Sequence, residues 1–143
     1  MEKTWLAVDI GGTAVKYALV SLGCELSERG EFPTPHDGVE TLLDAIAGAA
    51  EPYRGAIAGI GVSVPGVVRE DEGGTVANGG ALTYLDGQPF GRLLRERLGL
   101  PCALENDGKA AALGEYAAGA LKGAHVGVVL VLGTGVGGGI VID

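Results

Sequence analysis

Asp9-Ile10-Gly11-Gly12-Thr13-Ala14-Val15-Lys16 joins two β-branched, apolar runs, Thr4 to Ile10 and Val15 to Ser21, across a glycine turn. Such runs on either side of Gly-Gly read as a β-hairpin with a tight turn. Glycine lets backbone N–H groups approach a phosphate closely, Thr13 can donate to a phosphate oxygen, and Asp9 can hold Mg²⁺ directly or through water. An ordinary hairpin carries the same glycines, so this stretch alone leaves both readings open.

Outward from the hairpin, Leu26 to Phe32 reads as a third strand stopped by Pro33 and Pro35. Asp37 and Glu40 form a capping-box pattern ahead of Val39, Leu42, Leu43, Ile46 and Ala47 at helical spacing, a helix ending near Gly48 to Pro52. Ile57 to Val64 reads as a buried strand stopped at Pro65-Gly66, and Asp71 to Gly74 turns the chain between Val67-Val68 and Thr75-Val76. Pro89 starts a helix carrying Leu93, Leu94 and Leu98 and stopped by Gly99; Pro101 to Glu105 is a short strand. Asn106-Asp107 opens an alanine-rich helix to about Ala118. Val126 to Leu132 and Gly139 to Ile142 read as a second hairpin around Gly133 to Gly138. Strands alternating with helices make the class α/β with a mixed sheet.

The 143 residues carry a net charge of −8 and 47% apolar residues, with a mean hydropathy of +0.31. That composition excludes intrinsic disorder, and the charge repels phosphodiester backbones and anionic membranes, so neither nucleic acid nor a membrane is expected as a partner. Glycines and a threonine interrupt the apolar run from Val126 to Ile142, which falls short of a span, and no signal peptide is visible. Cys24, Cys102, His36 and His125 lack metal-ligand spacing, so no zinc site is expected in this chain. A cytoplasmic location is expected.

Three further features could carry chemistry. Gly133-Thr134-Gly135-Val136-Gly137-Gly138-Gly139 repeats the glycine-threonine turn; it matches the spacing of a dinucleotide fingerprint, but Ile140-Val141-Ile142 is no helix opening, so that reading fails. Two such turns facing each other would grip a nucleotide's phosphates from both sides. Glu105-Asn106-Asp107 lies where a strand hands over to a helix. Asp107 could deprotonate an attacking hydroxyl and Asn106 could bond a sugar hydroxyl, or either could simply cap the helix. Ser63-Val64-Pro65-Gly66 and Asn78-Gly79-Gly80 are either ligand loops or plain turns.

In this order, Asp9 to Thr13 with Lys16, Ser63 to Gly66, Glu105 to Asp107 and Leu132 to Gly139 resemble the ROK family of repressors, open reading frames and kinases, within the actin-like, Hsp70-like, hexokinase-like ATPase superfamily. The resemblance implies ribonuclease-H-like domains around a cleft, residues 1–120 forming the first and 121–143 opening the second. It implies ATP-dependent phosphorylation of a hexose or related sugar with Mg²⁺. Gly11, Gly12, Thr13 and Lys16, with Gly133, Thr134 and Gly135, would hold ATP phosphates, with Asp9 near the magnesium. Asp107 would be the catalytic base, and Gly66, Asn78, Gly79 and Asn106 would meet the sugar.

The sequence departs from the family pattern at Gly108, where alanine is common, and after Asn78, where glucose-specific members often carry an aromatic and Gly79 stands here. Members run about twice this length, so the chain is expected to be an amino-terminal half. Alone it is expected to be inactive, with any structural zinc in the other half and self-association through the terminal hairpin. The alternative is a non-catalytic sugar-binding or assembly fragment, or a ROK-type sugar-responsive regulator lacking its DNA-binding module.

Overall fold

The computed structural model describes residues 3–133 and 135–143. Strand β1 (Thr4–Ile10) sets the arrangement, because its alternation buries Leu6, Val8 and Ile10 on one face and leaves Asp9 exposed on the other. It pairs antiparallel with β2 (Ala14–Ser21), which pairs antiparallel with β3 (Leu26–Pro33). On its other side β1 runs parallel to β4 (Ile57–Val64), and β4 parallel to β7 (Cys102–Asn106). The five-stranded order is β3-β2-β1-β4-β7, the mixed sheet expected from the alternating pattern. Between β4 and β7 a small antiparallel ribbon forms from β5 (Val67–Arg69) and β6 (Thr75–Ala77).

Helices α1 (Val39–Ala50) and α2 (Phe90–Leu98) supply the apolar stripes that cover one face, with Leu42, Leu43, Ile46, Phe90, Leu94 and Leu98 at 2% exposure or less. Gly99, at φ 64°, ends α2 in the left-handed conformation and its amide bonds the Arg95 carbonyl, as the Leu98-Gly99 boundary implied. Across the helix seam Arg97 pairs with Glu40 and Asp44 of α1. The capping box does not form. Gly38, at φ 139°, is the residue before the helix, and Asp37, one place too early, accepts a 3.1 Å bond from the Thr41 hydroxyl instead.

Helix α3 (Asp107–Ala118) lies toward the opposite face, where Ala7, Ala18, Gly61 and Ala103 line an open cavity of about 790 Å³ with Leu113 of α3. Beyond it β8 (Val126–Leu132) and β9 (Val136–Ile142) pair antiparallel as a separate two-stranded sheet packed on α3. Strand β9 starts at Val136, three residues earlier than the pattern implied. Gly137 and Gly138 are therefore strand residues rather than turn residues. Among the described residues no helix is long and apolar enough to cross a membrane.

Phe90 is the largest fully buried side chain. Phe90→Ala is expected to lower unfolding free energy by about 3–5 kcal/mol, a large part of the ~5–15 kcal/mol typical of a domain, measured as a shift in urea midpoint.

Candidate functional site

Three parallel strands, β1, β4 and β7, bring their carboxyl ends to one edge of the sheet, the edge at which open α/β sheets take ligands. The register aligns Lys16, Asp9, Ser63 and Glu105 across β2, β1, β4 and β7. The Ser63 hydroxyl donates to Asp9 Oδ1. Among the described residues Asp9 forms no ion pair, so its second oxygen stays open. A single carboxylate of this kind is a hard oxygen donor suited to Mg²⁺ held largely through waters and phosphate oxygens.

The turn after β1 closes through a 3.1 Å bond from the Gly11 amide to the Ala14 carbonyl. A Cβ on Gly11 would stand 2.9 Å from that carbonyl oxygen, so the turn requires glycine there. Gly12 and Thr13 are both exposed. A Cβ at Gly12 would be 3.5 Å from the Ala81 methyl, which places this turn beside the segment that carries Asn78 and Gly79.

Gly66 organises the second group. Its φ is 95°, and a Cβ there would approach the Ala77 and Asn78 carbonyl oxygens to 2.4 and 2.8 Å. Its own carbonyl accepts a 2.6 Å bond from Asn106 Nδ2. The Asn106 Oδ1 accepts from the Lys109 amide at 3.2 Å, so this side chain caps α3 and at the same time ties it to the Pro65-Gly66 turn. Asp107 stands exposed in the first turn of α3, and its Oδ1 accepts from the Gly108 amide at 2.8 Å. Asn78 is exposed, with φ 55°, and the buried Gly79 donates its amide to Asp86 Oδ1 at 2.7 Å. Asp86 was not legible as part of this group, and its one local signal is the Asp86-Gly87 turn dipeptide.

Gly66, Asn78, Gly79, Asn106 and Asp107 thus form one neighbourhood, with Asp9, Gly11, Gly12, Thr13 and Lys16 on the adjoining strand ends. Gly133 and Gly135 lie at the tip of the β8–β9 hairpin, where the Gly133 amide bonds the Gly135 carbonyl at 2.9 Å; Thr134 lies outside the described residues. Gly108 serves close packing. A Cβ on it would meet the Gly138 carbonyl oxygen at 2.5 Å, and one on Gly139 would meet the Gly108 carbonyl oxygen at 2.7 Å. The cysteines stand apart, Cys24 exposed and Cys102 buried, where burial pushes the Cys102 thiol up despite the opposing effect of Arg95.

The ROK family model matches residues 5–143. A glucokinase from Streptomyces coelicolor is 36% identical over 139 residues, which are 96% of this chain and 43% of that protein. An N-acetylmannosamine kinase from Yersinia pestis is 38% identical over 146 residues, 96% of this chain and 47% of that protein. The crystal structure of a ROK family glucokinase from Streptomyces griseus in complex with glucose and AMPPNP superposes with a TM-score of 0.84 at 31% identity, covering 97% of this chain and 44% of that one. The chain spans about half the length of the curated relatives it matches.

Gly66 and Gly80 both have positive φ, but a Cβ at Gly80 meets nothing within 4 Å. Gly66→Ala is expected to cost clearly more than the ~1–2 kcal/mol that an incompatible φ alone costs at an open site, and Gly80→Asn close to nothing. Urea denaturation of the two variants side by side checks this.

Proposed function

This chain belongs to the ROK family, and from that premise we propose that it supplies the sugar-activating face and first phosphate turn of an ATP-dependent sugar kinase. The observation that carries the reading is the meeting of three parallel strand ends, which puts Asp9 and the Asn106-Asp107 helix start on one edge. The acceptor is a hexose or an N-acylated hexosamine, the two classes named for the relatives.

In this reading the amides of Gly12 and Thr13, with the Thr13 hydroxyl, hold phosphate oxygens, and Lys16 supplies counter-charge. Gly133, Thr134 and Gly135 hold the phosphates from the other side. Asp9 would hold Mg²⁺ through water, and the bound ion neutralises phosphate charge. Gly66, Asn78, Gly79 and Asn106 orient the sugar. Asp107 accepts the proton of the attacking hydroxyl as its oxygen bonds to the γ-phosphorus and the bond from that phosphorus to ADP breaks. Such catalysis is positioning and electrostatic stabilisation, which suits a site built from backbone turns and carboxylates.

The reading includes a cytoplasmic location, because the reaction it describes consumes ATP. Exposed Val128, Leu130, Val136 and Ile140 support self-association through the β8–β9 hairpin. Sedimentation at rising concentration should show association that Leu130→Glu abolishes.

In a chain extended to the length of its relatives, Asp107→Asn is expected to cut sugar-dependent ADP release by about 10²–10⁴-fold while leaving MgATP affinity within about threefold. Wild-type turnover in the variant overturns the base assignment. Calorimetric sugar binding with no turnover in the unmutated extended chain supports the non-catalytic sugar-binding reading.

A further inference from the structure

Between β3 and α1 the chain reads Pro33-Thr34-Pro35. Thr34, at 4% exposure, is the buried polar residue of the core among the described residues. Its hydroxyl donates to the Gly11 carbonyl at 2.7 Å, and its amide donates to the Thr13 carbonyl at 2.9 Å. One residue thus holds two carbonyls of the turn after β1. Among the described residues the Gly12 and Thr13 amides donate to no protein acceptor, so the turn has its carbonyls tied inward and amides left over, an arrangement suited to an anion.

The same connector reaches the other loop. The Pro35 carbonyl accepts a 2.6 Å bond from the Tyr84 hydroxyl. Tyr84 follows Asn78-Gly79-Gly80 in the segment that places Ala81 against Gly12. Burial, reinforced by the Asp37 carboxylate, pushes the Tyr84 phenol above its ordinary range, so it remains a donor at neutral pH. Two prolines hold φ near −65° on either side of Thr34, and the second biases Thr34 itself toward extended backbone. The connector is therefore stiff, and it touches both halves of the site.

We propose that Pro33-Thr34-Pro35 is a positioning element that sets the phosphate turn against the sugar loop, Thr34 acting through Gly11 to Thr13 and Tyr84 acting through Asn78 to Gly80. The proposal rests on the phosphate-binding reading given above. Losing the Thr34 hydroxyl frees the Gly11 carbonyl, and the turn can then rotate its amides away from a bound oxyanion.

The test uses the ¹⁵N-labelled chain extended to the length of its relatives, titrated with MgATP and, separately, with inorganic tripolyphosphate, following the amide resonances of Gly11 to Thr13. Thr34→Val is expected to weaken MgATP binding about tenfold, the scale of one lost buried hydrogen bond, and Thr34→Ser to restore it within about threefold. Tyr84→Phe is expected to move the Asn78 to Gly80 resonances and leave MgATP affinity within about twofold. Equal binding by Thr34→Val and wild type overturns the positioning role and leaves the phosphate reading standing. No response of the wild-type turn to either ligand overturns the phosphate reading, and this proposal with it. Should Thr34→Val not fold, unchanged Asn78 to Gly80 resonances in Tyr84→Phe overturn the connector's role.

Discussion

The parallel ladder from β1 through β4 to β7 is the constraint on which the site depends. Register in a sheet has period two, so a slip of one residue would exchange faces, sending Asp9 into the core and Val8 into solvent. Burial of Leu6, Val8 and Ile10 with Ile60, Val62, Val64, Cys102 and Leu104 against α1 and α2 holds that register. The apolar face does the work of alignment, and the polar edge inherits it. Asp9, Ser63 and Glu105 come level because their neighbours in sequence are buried.

Glycine acts by two different physical routes in this chain. At Gly11 and Gly66 it permits a backbone course that a side chain would block, and at Gly66 it brings the Ala77-Asn78 backbone within reach of the Asn106 cap. At Gly108 and Gly139 it removes volume between α3 and β9, allowing helix and strand backbones to approach directly. Gly137 and Gly138, read from sequence as turn material for phosphate, are strand. Gly139 belongs to the second route, a Cβ on Gly138 would instead meet the Val129 carbonyl oxygen of β8 at 2.6 Å, and only Gly133 and Gly135 remain as described glycines of the turn. Gly108, where the family commonly has alanine, lets the hairpin seat against α3.

Side chains that look like ligand groups in sequence also carry structure. Asn106 caps α3 and ties it to Gly66 with its two functional atoms, so any sugar contact it makes comes from a residue already held from both ends. Asp86 and Thr34 had no motif to announce them. Thr34 acts on the Gly11 carbonyl across 23 residues and Asp86 on the Gly79 amide across seven, and such contacts leave no periodic trace.

Much of this molecule follows from local chemistry that any reader of the chain can apply. Alternating apolar residues specify β1, helical spacing specifies α1 and α2, Gly99 ends α2, and Asn106 caps α3, because each of these depends on neighbours within a few residues. The order of the glycine turns and carboxylates likewise marked Asp9, Gly11, Asn106 and Asp107 as the residues to watch. The capping box fails because α1 begins one place later than Asp37 implies, with Gly38 before it, and β9 starts at Val136 because the ladder with β8 extends to its pairing with Leu132. Only the tertiary fold decided that the strand ends meet, that Thr34 and Tyr84 hold the two loops together, and that Gly138 and Gly139 of a glycine-rich run lie against a helix. Those outcomes depend on which backbones approach across long sequence separations, and sterics at such contacts exists only once the chain has folded.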